Sequence, residues 1–334
     1  MTCLYLSVKK LSELGERQAI RLIEQIVSKA DVAVGIGDDC AAFQIGEEYI
    51  LVTTDMITQK THIPDVMTPY QIGWFAVAIN LSDLAAKGGR PLGVVIALGL
   101  PLNTSERFLT ELIKGANSCA QQYNTGIVGG DTKENPELTV CATAIGCVNK
   151  NQFMPRKGAK VGDCVVVTGS LGKAGAGFYA LKQGKKDEKN ILGLVKPKPR
   201  LLEGMLLAKQ QKVHCCMDIS DGLSSSLYQL QIVNPVGFAV NKQDIPLDAS
   251  LAGLYTTNTA LAYDLGLHFG GDYELLFTVS KNDVSRIKKV FSESDTPLTV
   301  IGRVTDEQKI VLTEKKVVIP LENKGFEHFF RNEI

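Results

Sequence analysis

The chain has 334 residues, 45% of them apolar and 22% charged, with 36 basic and 36 acidic side chains. That length suits one large or two medium globular domains, and the apolar content argues against a disordered chain. The charge balance leaves no global attraction to nucleic acid or to an anionic membrane.

In chain order, the opening "MTCLYLSVKKLSELGER" has no apolar core followed by a small-residue cleavage site, so no signal peptide is expected. Leu14, Ile20, Ile23 and Val27 recur near helical spacing and predict a helix over 12–29. Further helices are predicted over 69–86 and over 104–123, the latter with Thr104 or Ser105 as N-cap and Glu106 in its first turn. Strand-like runs lie at 49–53, 92–98, 126–128 and 138–148. The longest apolar stretch, "PLGVVIALGLPLN", is too short and too rich in Pro and Gly to span a bilayer. Alternating strands and helices predict an α/β or α+β fold.

The polar, Pro- and Gly-containing segment "NKNQFMPRKGAKVGD" (149–163) marks a boundary between domains 1–150 and 151–334. Beyond it, strands are predicted at 164–168, 213–217, 236–240, 273–279, 298–304 and 310–313. Helices are predicted at 176–184, 200–210, 222–232 and 283–292, and "KKDEKN" (185–190) reads as a solvated loop. The turn "GSLGKAGAG" (169–177) does not match a phosphate-binding P-loop and reads as a strand-to-helix turn. Trp74 is expected in the core, and His62 on a loop. Eight cysteines without a CxxC pair, several inside apolar runs, suit a reduced, cytoplasmic protein without structural zinc.

One pattern recurs in five places: an apolar run, a small residue, then aspartate. It appears in "VGIGDDCAA" (34–42), "YILVTTD" (49–55), "FAVAINLSD" (75–83), "NTGIVGGD" (124–131) and "VHCCMDISD" (213–221). The carboxylates are Asp38, Asp39, Asp55, Asp83, Asp131, Asp218 and Asp221, each beside an element expected to be buried. A single such aspartate reads as an N-cap or a surface turn; five segments predict convergence at one site. Residues 31–59, 68–86, 119–132 and 213–241 contain no Lys or Arg, so no nearby basic side chain is expected to neutralise the cluster. Mg²⁺ with phosphates completing its shell is the natural counter-ion, with Thr53, Thr54 and Ser220 as neutral oxygens. Gly129 and Gly130 beside Asp131 would let the backbone approach a phosphate.

These segments, with "ELGER" (13–17), "TTDMITQKTH", "NLSDLAAKGG", "MDISDGLSSSL", "GGDYELLFT" and "KGFEHF" (324–329), resemble the thiamine-monophosphate kinases. That family lies in the superfamily of aminoimidazole ribonucleotide synthetase and selenophosphate synthetase. The resemblance implies a two-domain α/β (α+β) fold of the aminoimidazole ribonucleotide synthetase type and a homodimer joined through the N-terminal domains. In that arrangement the N-terminal domain binds ATP and Mg²⁺ and the C-terminal domain completes the site. The implied reaction is ATP-dependent phosphorylation of thiamine monophosphate to the diphosphate. By motif, Asp39, Thr53, Thr54, Asp55, Asp83, Asp131, Asp218 and Asp221 look like Mg²⁺ ligands, with Asp55, Asp131 and Asp221 at the chemistry. Gly130, Asp131, Arg156 and Ser220 look like ATP contacts, and Arg156 is the basic residue expected to reach a phosphate. His62 and Phe326 look like thiamine monophosphate contacts. Where the family commonly reads "GGEDYEL", this chain has Gly271 in place of the glutamate, leaving Asp272 or Glu274 to compensate or other groups to hold the substrate. Another ATP-using enzyme of the superfamily, a metal-dependent phosphohydrolase and a non-catalytic nucleotide-binding dimer are the alternative readings.

Overall fold

A run such as 69–86, apolar on every side and carrying the single charge of Asp83, can be stable only inside a protein. It forms the central helix of the structure, a computed structural model that describes residues 9–28, 30–186, 188–292 and 294–329, with only the backbone of 188–190. The first half runs α1 (Leu11–Leu14), α2 (Glu16–Ile26), β1 (Ala41–Ile45), β2 (Glu48–Thr58), α3 (Gln59–His62) and α4 (Pro69–Ala86). It continues with β3 (Arg90–Leu100), α5 (Glu106–Gln122), β4 (Ile127–Glu134) and β5 (Thr139–Asn149). These strands make a sheet of order β1-β2-β5-β3-β4, antiparallel except where β3 lies beside β4.

The second half comprises β6 (Cys164–Thr168), α6 (Lys173–Lys182), α7 (Glu188–Val195), α8 (Leu201–Gln210), β7 (Val213–Asp218) and α9 (Leu223–Val233). Then come β8 (Gly237–Asn241), α10 (Ala252–Thr257), α11 (Thr259–His268), β9 (Leu275–Val279), α12 (Val284–Phe291), β10 (Leu298–Thr305), β11 (Ile310–Glu314) and β12 (Val317–Pro320). Its sheet has the order β12-β11-β8-β10-β6-β9-β7, with β11 and β8 its parallel pair. The expected mixed α/β class is therefore met by two sheets with helices packed against them.

The predicted helix 12–29 is broken by Gly15, whose φ of 76° belongs to the turn between α1 and α2. The loop expected over 185–190 gives way to α7 from Glu188. Helix α6 opens at Lys173, earlier than predicted, because Asp272 caps it from outside: its carboxylate accepts from the amides of Gly172 (2.6 Å) and Ala174 (3.1 Å). That strand-to-helix turn is filled by the chain's own carboxylate.

Helix α4 starts on a capping box, with Thr68 Oγ1 accepting from the Gln71 amide and the Gln71 side chain accepting from the Thr68 amide. Of its residues only Pro69, Tyr70 and Asp83 are not buried. It touches α5 backbone to backbone: a Cβ on Gly73 would lie 1.8 Å from the Leu112 carbonyl oxygen, and one on Gly115 1.8 Å from that of Tyr70. Trp74 is buried as expected, its Nε1 donating to the Pro197 carbonyl at 3.1 Å. The largest apolar cluster runs through α4 and joins Ile72, Leu81, Val94 and Leu112 to Val166, Leu201, Cys216 and Phe277 of the second half. Among the described residues, no helix is long and apolar enough to cross a membrane.

Candidate active site

The C-terminal half of α4 is the platform on which the acidic residues meet. Asn80 Oδ1 accepts from the Asp55 amide at 3.1 Å, which fixes β2 against the helix. Two residues on, Ser82 donates to Asp218 Oδ2 at 2.6 Å, reaching the end of β7 in the other half. Asp83 accepts from Thr53 Oγ1 of β2 at 2.5 Å. Carboxylate oxygens of Asp39, Asp83 and Asp218 all lie within 4.8 Å of one another. Asp221 follows in the turn before α9, its Oδ2 accepting from Gln229 Nε2 at 3.2 Å, and Gln229 Oε1 in turn accepts from Arg156 Nη1 at 3.1 Å.

The expectation of a cluster without basic neighbours is corrected here. Lys87, one residue beyond the Lys-free stretch, is fully buried, and its ammonium pairs with Asp38 at 2.6 Å and Asp39 at 2.8 Å. Arg156 donates Nε to Asp39 Oδ1 at 2.7 Å, pairs with the same oxygen through Nη2, and gives its backbone amide to Asp38 Oδ2 at 2.9 Å. Burial pushes the Asp39 carboxyl up, but Arg156 and Lys87 outweigh it and hold Asp39 below the ordinary value.

For the remaining acids burial wins, although Arg156 acts on Asp218 and Asp221 and Arg17 on Asp221. Among the described residues, no salt bridge reaches Asp55, Asp83, Asp218 or Asp221. Burial, then the charges of Asp39 and Glu16, raise Asp55 to about 6. Burial and Asp39 raise Asp218 to about 7, and burial and Glu16 raise Asp221 to about 6. Burial raises Asp83 as well, reinforced by Asp55 and Asp218. An all-oxygen donor set whose members suppress one another's ionisation fits a hard divalent cation such as Mg²⁺.

Two expected members of the group stand apart. Successive side chains of a strand point to opposite faces. Thr53 and Asp55 face α4, whereas Thr54 faces away and donates to the Ala142 carbonyl at 3.1 Å. Asp131 pairs across β3 with Ala97, in the row of Cys141 and Met56, so it lies on that same outer face. Its side chain is 61% exposed, 3.4 Å from Lys133. Gly130 has a packing reason of its own, because a Cβ there would lie 1.9 Å from the Ile96 carbonyl oxygen.

At the edge of the acidic group the tail returns to it, with the Phe326 amide donating to the Asp221 carbonyl at 3.1 Å. The His328 ring lies 5.0 Å from His62 and 4.7 Å edge-on from Phe326, so the two expected substrate contacts do share one place. Burial, and then His328, lower His62 to about 4 and keep it neutral near pH 7. The Ser220 carbonyl accepts from the Gly271 amide at 2.7 Å, which places Ser220 beside the same turn. Neither suggested substitute for the glutamate missing at Gly271 is free. Asp272 caps α6, and Glu274 is buried between Arg200 (Nε 2.6 Å) and Thr168 (2.7 Å). Sequence reasoning missed Lys87, Asn80, Ser82, Glu16, Gln229 and His328. For Lys87 the signal was present, a lysine closing an otherwise uncharged apolar helix.

With this geometry in place, comparison with known proteins decides the family. The AIR synthase related protein family matches with its N-terminal domain over 37–148 and its C-terminal domain over 160–315. A thiamine-monophosphate kinase of Methanospirillum hungatei is 36% identical over 291 residues, 87% of this chain and 92% of its own. One from Pyrococcus horikoshii is 32% identical over 95% of this chain and 97% of its own. The chain belongs to the thiamine-monophosphate kinase family. A solved structure described as AaThiL complexed with AMPPCP and TMP matches with a TM-score of 0.85 and 28% identity, over 96% of this chain and 99% of that one. As a thiamine-monophosphate kinase, the chain carries its acidic group at the junction of the two family domains.

Proposed function

We propose that the chain transfers the γ-phosphoryl group of ATP to the phosphate of thiamine monophosphate, in line and with Mg²⁺, giving thiamine diphosphate and ADP. The observation that supports this reading is the convergence of Asp39, Asp83 and Asp218, from both halves, whose carboxylate oxygens lie within 4.8 Å of one another, with Asp55 close enough for its charge to raise Asp83 and Asp218. The attacking phosphate oxygen is already anionic, so no strong general base is required, and positioning with charge compensation is the main task. A pair of unit charges about 4 Å apart repels by roughly 4 kcal/mol at an effective dielectric near 20. Mg²⁺ held by these carboxylates and Thr53 would supply the positive charge that offsets this repulsion.

The chain's own residues do the rest. Thr53, Ser82 and Asn80 fix Asp83, Asp218 and β2 before any ligand arrives. Arg156 and Ser220 are proposed to face the nucleotide, and Gly130 and Asp131, on the outer face of the first sheet, would join them only across the proposed dimer. His62 and Phe326, with His328 between them, are proposed to take thiamine monophosphate. A neutral His62 suits a substrate whose thiazolium ring is cationic, since it adds no like charge. Homodimer formation is proposed through the outer face of the first sheet, where Phe43, Met56 and Val128 are 43%, 57% and 64% exposed. Such pairing would place Thr54 and Asp131 at or near the interface, and a monomer in sedimentation equilibrium would remove that part. The decisive assay mixes purified protein, ATP, Mg²⁺ and thiamine monophosphate and expects thiamine diphosphate and ADP in equal amounts. ADP and free phosphate without thiamine diphosphate would favour a phosphohydrolase, and turnover in EDTA would exclude the metal.

A further inference from the structure

The segment 321–329 follows β12 without helix or strand, so side-chain and amide contacts must fix where Phe326 and His328 stand. On one side it lies against the start of α9. A Cβ on Gly325 would meet Ser225 Cβ at 2.3 Å and the Asp221 carbonyl oxygen at 2.5 Å, and the Phe326 amide donates to that same carbonyl. On the other side it meets α2. The Arg17 amide, one of the first-turn donors that a helix leaves unpaired, donates to Glu327 Oε1 at 3.2 Å, across 310 residues of sequence. In exchange the His328 amide donates to Glu16 Oε2 at 3.2 Å. Glu327 thus caps α2 from outside, where the helix dipole favours a carboxylate, and the N-cap residue Gly15 has no side chain to do so. The Arg17 guanidinium adds to this, with Nε 3.8 Å from Glu327 Oε2 and Nη2 donating to Ser225 Oγ at 2.6 Å. Both side chains are shielded, Arg17 being 23% and Glu327 16% exposed. No residue of α2 is buried, so the contact is polar and not a piece of the core.

We propose that the start of α2 is a latch for the substrate pocket: Glu327 and Arg17 are positioning residues that hold Phe326 and His328 beside His62 and thereby set the affinity for thiamine monophosphate. The inference rests on the reading that His62 and Phe326 take that substrate. An aromatic contact to a flat heterocycle depends on where the ring is held. The His328 ring reaches His62 and Phe326 while the backbone of 327 and 328 stays on α2. The nucleotide side is independent of the latch, since Arg156 is fixed by Asp39 and Gln229. The test is steady-state kinetics of wild type, Glu327→Ala and Glu327→Gln, with each substrate varied in turn and thiamine diphosphate measured. Glu327→Ala should raise KM for thiamine monophosphate about tenfold, the consequence of losing one hydrogen bond to a charged group. Its kcat and its KM for ATP should stay within about twofold of wild type. Glu327→Gln keeps an acceptor for the Arg17 amide, so each of its constants should stay within about twofold of wild type. Tm of both variants should move by no more than about 2 °C, because a partly exposed pair contributes little to stability. An unchanged KM for thiamine monophosphate in Glu327→Ala, an equal rise for both substrates, or a fall in kcat alone overturns the latch and leaves the kinase reading intact. A wild-type protein that forms no thiamine diphosphate overturns both. Should Glu327→Ala not fold, Arg17→Met, which removes the ion pair and the Ser225 contact, takes its place. A KM raised for thiamine monophosphate alone then supports the latch, and an unchanged one overturns it.

Discussion

Asp83 and Asp218 sit close together, one on α4 and one at the end of β7, and each is held by a hydroxyl rather than by a cation. Replacing Asp83 by Asn keeps the shape and the contact with Thr53 but removes one repelling charge. The metal-free Asp83→Asn protein should melt no lower than wild type, while phosphoryl transfer falls by about 10²–10³-fold, the usual loss when an electrostatic stabiliser is removed. Scanning calorimetry and a coupled ADP assay would read the two effects, and wild-type turnover would exclude Asp83 from the site. The raised carboxylates also give a pH dependence with a definite sign. Asp55, Asp218 and Asp221 titrate near 6, 7 and 6 in the folded chain, against about 3.9 in the unfolded one. Between those values the folded state holds more protons, so their contribution is full below about pH 4 and is lost as pH rises through 6 to 7. His62, lowered to about 4, acts in the opposite direction, but only below its unfolded pKa of about 6.5. The clean window is therefore about pH 6.5 to 7.5. In EDTA, Tm should fall across that window and Mg²⁺ should flatten the fall; a rise in EDTA would contradict an unneutralised cluster.

Helix α4 shows what can be read from a linear sequence. Its limits were legible because Thr68, Pro69 and Gln71 mark its start and an unbroken apolar run follows. The proximity of Asp39, Asp83 and Asp218 was legible because the same pattern of apolar run and aspartate recurs along the chain. Strand pleating was the information lost: Thr53, Thr54 and Asp55 read as one motif, yet alternation sends Thr54 to the outer face and Asp131 lies in that outer row. Lys87 escaped for a related reason, since a window ending at Ala86 reports charge along the chain and not where the next side chain turns. Helices α10 and α11 were missed because short runs dense in Thr and Asn favour turns locally, and tertiary contacts decide them. The packing of α4 on α5 gives a test at this scale. Gly73→Ala would place a methyl 1.8 Å from the Leu112 carbonyl oxygen, so the helices must part. A loss of about 1–3 kcal/mol is expected from such overpacking, measurable by urea unfolding, and an unchanged midpoint would mean that the two helices are not in backbone contact.

For the whole molecule, the two family domains meet the same helix. The residues of α4 that pack on β2 and β5 belong to one apolar cluster with Val166, Leu201, Leu275 and Phe277, and Lys87 ties the end of that helix to β7 through the Cys216 carbonyl. Cutting the chain between 150 and 151 would therefore expose a face of α4 that includes Trp74 and Leu81, both buried in the intact chain, and would leave the Lys87 ammonium without one of its three partners. Apolar burial contributes about 25 cal/mol per Å², and a few such side chains outweigh the small net stability of a typical domain. The intact chain should accordingly unfold in a single calorimetric transition, with calorimetric and van't Hoff enthalpies in agreement. The isolated 1–150 fragment should bind a hydrophobic dye and show no cooperative melt. Two resolved transitions in the intact protein, or a cooperatively folded 1–150 fragment, would mean that each half is stabilised within itself. The acidic site would then lie between independent bodies, no longer held on one shared helix.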